Sequence, residues 1–300
     1  MYYNNLSDFY KNKFGSKVVK LSFDGGFTCP NRLNGNIGCI FCSGSNEFAG
    51  DRNKSLEEQY LEQRKMMDRK WPNSKYIAYF GSFTNTFDDV SKLRERFDKV
   101  LTFDNVIGLS IGTRSDAISD ECYQYLDELN KKTFLTVELG LQSMHDKTLK
   151  YINRGHDLDN FEKCVNKLRD MHINVVVHII NGLPGEDEEM MLDNIRYLNK
   201  LDIDGIKIHN LFVAVNTPLA NMYVNNPFKL LEKDEYINIL VKQIELLKPS
   251  IVIHRLTGDP KKEDLIAPLW CLKKIDVLNG VVKKLKANNS YQGINYKNQE

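Results

Sequence analysis

The chain of 300 residues lacks a dominant charge: 41 Lys and Arg against 40 Asp and Glu leave a net charge of +1. No global basic field therefore announces nucleic acid or an anionic membrane. Long apolar runs are missing too, and stretches such as VVV near residue 175 fall far short of a membrane span. The N-terminal stretch MYYNNLSDFYKNKFG has no apolar core of the kind a signal peptide needs. A cytoplasmic protein with reduced thiols is expected. No repeat at a fixed period and no low-complexity tract interrupts the chain. Cysteine is scarce, and three of the six, Cys29, Cys39 and Cys42, fall within the single stretch CPNRLNGNIGCIFC.

What is present is an alternation of strand-like and helix-like segments. Short β-branched runs at 17–23, 76–80, 106–112, 133–140, 174–180, 205–212 and 251–256 read as strands, often apolar on both faces as in parallel sheets covered by helices. Between them lie amphipathic stretches. Ser55 followed by Glu58 predicts a capping-box start, and LEEQYLEQRKMMDRK runs as a helix until Trp71-Pro72 ends it. DECYQYLDELNKK, NFEKCVNKLRDM, EEMMLDNIRYLNKL and KDEYINILVKQIELLK read the same way. Repeated strand–helix units imply a parallel sheet with right-handed crossovers, and six or seven in one series favour a barrel type. Gly and small polar residues gather after strand after strand, in GSFTNTF, TRSD, LQS, NGLPGED and TGDP. In a βα barrel that end of the strands carries the site, and the cysteine segment follows the first strand onto the same face.

Three clustered cysteines are an unusual number. A closed structural zinc site wants four ligands, yet no histidine precedes His145 and no fourth cysteine is near. Cys122, Cys164 and Cys271 are scattered and read as small buried hydrophobes. Zinc with a distant fourth ligand stays open as a reading. So does an iron–sulfur cluster, which normally takes four cysteines. With three, one iron is left open to a ligand bearing amino and carboxylate groups.

The stretch CPNRLNGNIGCIFC resembles the cluster loop of the radical S-adenosylmethionine (radical SAM) superfamily. Its nine residues between the first two cysteines are most similar to the branch that includes the catalytic subunit of Elongator and the YhcC/YtqA-type proteins. The similarity continues through DGGFTCPNR, YFGSFTNTF, GTRSD, ELGLQS, NRGHD, NGLPGE, KIHNL and HRLTGDP. The resemblance implies an α/β fold, a partial (β/α)6-type TIM barrel. Residues 1–15 would form an N-terminal extension, 16–225 the barrel core, and 226–300 a C-terminal α/β extension packing on it. It also implies a 4Fe-4S cluster on Cys29, Cys39 and Cys42, with SAM at the open iron. Reductive cleavage of SAM would then give methionine and a 5′-deoxyadenosyl radical that takes hydrogen from an unreactive carbon.

Further site residues follow from the same resemblance. Phe41 matches the aromatic beside adenine. Gly81, Thr84 and Asn85, in FGSFTNT, occupy the place where the methionine amino group is bound, and Thr113 belongs with these contacts. Glu138 and Gln142 stand where polar groups meet the ribose hydroxyls. Arg154 matches an arginine that pairs with the SAM carboxylate in the related coproporphyrinogen-oxidising enzymes, a contact suited to a guanidinium fork. Gly182 lies in the turn that closes over adenine. Gly81 departs from the pattern, because related sequences often carry Gln there.

Substrate residues are sought on the strands and in the C-terminal part. His178, Lys207 and His209 would line a barrel interior, although a lone strand histidine is more often a satisfied core residue. Arg255, Trp270 and Lys273, with Thr257 nearby, would grip an anionic, stackable group such as a nucleotide. Residues 250–300 are locally basic, with nine Lys and Arg against five Asp and Glu. Relatives in the branch act on the C5 side chain of the wobble uridine, so modification of tRNA is the leading expectation. An electron donor such as flavodoxin or ferredoxin would be a further partner. Radical chemistry on a small metabolite or porphyrin precursor is the alternative, and a non-catalytic metal-stabilised binding module the distant one. A second complete cysteine set is absent, which counts against sulfur insertion.

Overall fold

The computed structural model describes residues 2–44 and 50–297. Its strands are β1 (Val18–Phe23), β2 (Lys75–Phe80), β3 (Val106–Thr113), β4 (Phe134–Gln142), β5 (Asn174–Asn181), β6 (Gly205–Asn210), β7 (Val213–Ala214), β8 (Val252–Arg255) and β9 (Leu265–Ala267). Seven of them form one sheet in the order β1-β2-β3-β4-β5-β6-β8, every pair parallel. The helices are α1 (Leu6–Phe14), α2 (Leu56–Lys70), α3 (Val90–Leu101), α4 (Asp120–Lys132), α5 (Asp146–Tyr151), α6 (Leu158–Asp170), α7 (Glu188–Leu198), α8 (Pro218–Asn225), α9 (Lys233–Leu246) and α10 (Lys274–Ala287). Together they make a partial TIM barrel, a half-barrel of parallel strands with helices on its outside.

The strand residues explain the two faces. Leu21, Phe23, Phe80, Ile111, Val137 and Val177 point outward and are fully buried against Leu93, Phe97, Leu126, Phe161 and Leu168 of the helices. Each such side chain contributes about 1.5–3 kcal/mol through removal from water. The other face departs from the expectation of strands apolar on both sides. It carries Lys20, Tyr79, Ser110, Glu138, His178 and Lys207, so the apolar core lies outside the half-barrel and a polar interior within it.

Local signals hold where they were read. The Ser55 hydroxyl accepts from the Glu58 amide and the Glu58 carboxylate accepts from the Ser55 amide, which starts α2, and Trp71 caps its end. Helix α3 escaped the sequence reading although Val90, Leu93, Phe97 and Val100 form its buried stripe. Helices α1 and α10 escaped it as well.

The two chain ends meet at the seventh strand. The Ile253 amide donates to the Asn4 carbonyl (2.7 Å), and the Gln292 side chain accepts from the Asn4 amide (2.8 Å) while donating to Lys248 and Ile251 carbonyls. Helix α1 packs against both β1 and β8 and thereby closes the base of the half-barrel. Between β6 and β8 the register shifts: Ile206 pairs with Ile253 but Lys207 with Arg255, leaving His254 in a bulge. Such a bulge re-aims the side chains beside it. Among the described residues no helix is long and apolar enough to cross a membrane.

Candidate active site

The loop after β1 carries the three cysteines, all free thiols. A 3-10 turn over Pro30–Arg32 begins directly after Cys29, and the Cys42 amide donates back to the Cys39 carbonyl (3.0 Å). The loop is anchored to the end of α5. The Ile40 amide donates to Ile152 (3.0 Å), the Asn153 side chain to Gly38 (2.7 Å) and the Asn31 side chain to Asn153 (2.6 Å). Gly38 has φ +81°, and a Cβ there would stand 2.9 Å from the Arg32 side chain, so glycine lets that arginine reach the Cys42 carbonyl. Cys29, Cys39 and Cys42 line one cavity of about 190 Å³ together with Phe41, Gly81, Thr84, Thr113, Glu138, Gln142 and Arg154.

Two buried arginines stand behind the sulfurs. Arg154 donates to the Gly140 carbonyl through Nε (3.1 Å) and Nη2 (2.5 Å), and its Nη1 lies 3.7 Å from the Cys39 sulfur. Arg114, clamped by Asp116, donates to the Arg154 carbonyl (2.6 Å). On the opposite wall Thr84 is buried and its hydroxyl has no partner. Asn85 is turned away, with its amide group on the Phe80 and Gly112 carbonyls (3.2 and 2.7 Å), and ties the loop to the end of β3.

A second cavity of about 1250 Å³ occupies the half-barrel and shares Phe41, Cys42, Tyr79, Gly81, Gln142 and His178 with the first. Behind the shared residues, on the wall of the first cavity, sits Glu138, without side-chain exposure. Its Oε1 accepts from Lys20 (2.5 Å) and Ser110 (2.6 Å), and its Oε2 from Lys207 and from His178 (2.7 Å). Burial alone would push the Glu138 carboxyl up, but the two ammonium groups and the imidazole hold it well below the ordinary range. Burial brings Lys207 down to about 7 against the pull of Glu138. Lys20 also loses hydration, yet the same carboxylate raises it. Burial, aided by Lys207, lowers His178 to about 4, and burial keeps His209 and His254 neutral as well. Gly81 belongs to this arrangement, since a Cβ there would lie 2.4 Å from the Tyr79 phenol. Tyr79 in turn lies under both ammonium groups, 4.9 Å from Lys20 and 4.5 Å from Lys207.

The structure brings His178, Lys207, His209 and Arg255 together on the wall of the large cavity. It does not bring Trp270 and Lys273 with them. The turn over Leu269–Leu272 directs Trp270 onto Tyr236 (5.3 Å between rings), its indole donating to the Leu231 carbonyl (2.9 Å), and leaves Lys273 exposed. Lys274 faces the cavity instead, paired with Asp259 (2.7 Å). Gly182, at φ +85°, packs against Leu231 and lines neither cavity. Sequence reading missed Lys20, Tyr79, Ser110 and His254. The alternation from Lys20 to Phe23 in KVVKLSF, polar against apolar, was the available signal for Lys20.

The model of the Radical SAM superfamily matches residues 28–198, and that of the Radical_SAM C-terminal domain residues 203–287. The chain belongs to the radical SAM superfamily. It is 44% identical over 296 residues to YtqA of Bacillus subtilis strain 168, covering 97% of this chain and 92% of that protein. It is 28% identical over 185 residues to a tRNA uridine(34) acetyltransferase of Methanocaldococcus jannaschii, covering 61% of this chain and 33% of that protein. Among solved structures, the N-terminally truncated archaeal Elp3 of Methanocaldococcus infernus matches with a TM-score of 0.68 at 18% identity. That match covers 92% of this chain and 64% of the other, and it shows the shared fold.

Radical SAM proteins bind a 4Fe-4S cluster and SAM, and the residues here fit both. Three reduced thiols line one cavity, with side-chain N–H groups of Asn31 (3.6 Å) and Arg154 (3.7 Å) directed at the Cys39 sulfur. Among the described residues no three His, Cys, Asp or Glu stand close enough to hold one metal ion. The thiolates of a four-iron cluster each bind a different iron and need no such convergence. Cys29, Cys39 and Cys42 would hold such a cluster, which would supply the electron for reductive cleavage of SAM. The chain's own part is placement and exclusion of water. Thr84 and Gln142 offer polar atoms on the cavity wall, and Tyr79, Gly81 and His178 stand where that wall opens into the interior.

Proposed function

We propose that this radical SAM enzyme modifies tRNA at the C5 side chain of the wobble uridine, with reducing equivalents from a flavodoxin- or ferredoxin-type donor. The observation that carries the reading is the interior of about 1250 Å³, continuous with the cysteine cavity and lined by hydrogen-bonding and cationic side chains. That is ample for a nucleotide turned out of its stack, the way enzymes reach a base. The similarity to a tRNA uridine(34) acetyltransferase supports the choice of nucleic acid and of nucleoside. Helix α10 adds Lys283, Lys284 and Lys286 in its last turns. Mass spectrometry of tRNA nucleosides from cells with and without the gene tests it. The expected result is a changed wobble-uridine profile on deletion, and an unchanged profile removes the proposal. The near-neutral net charge favours a small-molecule substrate as the second reading. Salt-sensitive retention of tRNA by the purified protein separates the two.

A further inference from the structure

The charges around the large cavity do not balance residue by residue. Asp51 and Glu62 at its mouth pair with Lys54, Asp259 pairs with Lys274, and Glu138 serves both Lys20 and Lys207. Lys17 donates to the Ser7 hydroxyl (3.2 Å) and lies over the Trp71 ring, and Arg255 is left over. It lines the cavity, half-buried, and makes no hydrogen bond and no ion pair among the described residues. It is the cross-strand partner of Lys207, and His209 lies two residues further along the same strand.

Unmet hydrogen-bonding capacity collects at the same place. The Nε2 of His209 and the Nδ1 of His254 are buried and unpartnered, as is the hydroxyl of Thr257, two residues beyond Arg255. Buried polar groups nearly always have a partner. An arginine fork without a carboxylate is the donor set that planar or tetrahedral oxyanions take up. One carboxylate, Glu138, faces Lys20 and Lys207 together, so an anion entering here meets uncompensated positive charge rather than repulsion.

We propose that Arg255, with Lys207 and the His209 ring nitrogen beside it, forms an oxyanion subsite that holds the substrate by a carboxylate or a phosphate. It rests on the reading of this cavity as the substrate site, while the nature of the rest of the substrate is left to the tRNA test above. Glu138 is the fixed counter-charge that keeps Lys20 and Lys207 in place, and Arg255 supplies the free fork.

The test uses the full chain carrying its cluster and SAM. Labelling of Arg255 by phenylglyoxal is followed by mass spectrometry, alone and with excess inorganic phosphate, acetate, uridine or uridine 5′-monophosphate. The expected result is a several-fold slower labelling with the oxyanions and none with neutral uridine. Protection by phosphate and its ester assigns a phosphate, and protection by acetate alone a carboxylate. Arg255→Gln breaks no hydrogen bond or ion pair among the described residues, so it should retain SAM binding and lose the preference for uridine 5′-monophosphate over uridine. Arg255 protection with an unchanged wobble-uridine profile would keep the subsite and remove the tRNA reading. Labelling that no oxyanion slows, or an Arg255→Gln variant that keeps the preference, overturns the subsite.

Discussion

At Glu138 one carboxylate without side-chain exposure answers two ammonium groups, an imidazole and a hydroxyl, contributed by four other strands. Desolvating these ions is costly, and only their mutual contacts offset it. Glu138→Gln keeps the shape and removes the charge, leaving Lys20 and Lys207 facing each other. The expected cost is about 3–5 kcal/mol, the usual consequence of breaking a buried ion pair on one side. Urea denaturation of the variant measures it. Because Lys207 already sits at about 7, it can shed its proton when the carboxylate is gone. The loss should therefore be smaller above that pH than below it, and a loss independent of pH would mean that the lysines are not what Glu138 holds.

Among the elements, β5, β6 and β8 each place a histidine on the interior: His178, His209 and His254. Burial keeps all three neutral, aided at His178 by Lys207, and His178 falls from an ordinary 6.5 to about 4. Between those two values the unfolded chain takes up a proton that the folded one refuses. Stability should decline as pH falls from about 6.5 towards 4, by about 1.4 kcal/mol per pH unit for each histidine. Glu138 is held well below its ordinary value, so its own contribution persists through the upper part of that window. A plot of urea midpoint against pH checks this. His178→Asn should flatten it, and an unchanged slope would place the proton uptake elsewhere. The strands themselves were legible, because β-branched runs bounded by glycine and polar turns leave little choice. So was the start of α2, where Ser55 and Glu58 reciprocate. The ion cluster was not legible, since Lys20 and Glu138 are 118 positions apart and only the strand order sets them side by side. Trp270 and Lys273 were misjudged for a similar reason. A single turn decides which of two neighbours faces the interior, and here it chose Lys274.

The whole molecule is closed by its ends. β8 follows α9 in the chain yet completes the sheet begun by β1, and Gln292 joins the N-terminal stretch to the segment before β8. Helix α9 is fastened to β5 by two reciprocal amide bonds between Asn181 and Gln243 (2.7 and 2.9 Å), and Tyr236 donates to the Leu256 carbonyl (2.8 Å). The core that wraps these strands is continuous, since Ile206, Tyr236, Leu240, Ile253 and Val281 belong to the same apolar cluster as Leu21 and Phe80. A cut within such a cluster exposes apolar faces on both sides, whereas a true linker crosses few contacts. The full chain is therefore expected to unfold in urea in one transition, coincident by circular dichroism and tyrosine fluorescence. A chain ended at residue 250 loses β8, bares the edge of β6 and removes both Arg255 and the anchor of α1. It should show no cooperative transition, and its cysteine loop should fail to take up iron although Cys29, Cys39 and Cys42 all remain. Two separated transitions in the full chain, or a folded truncated form, would make the C-terminal part an independent unit. The oxyanion subsite would then lie across a boundary between units instead of inside one.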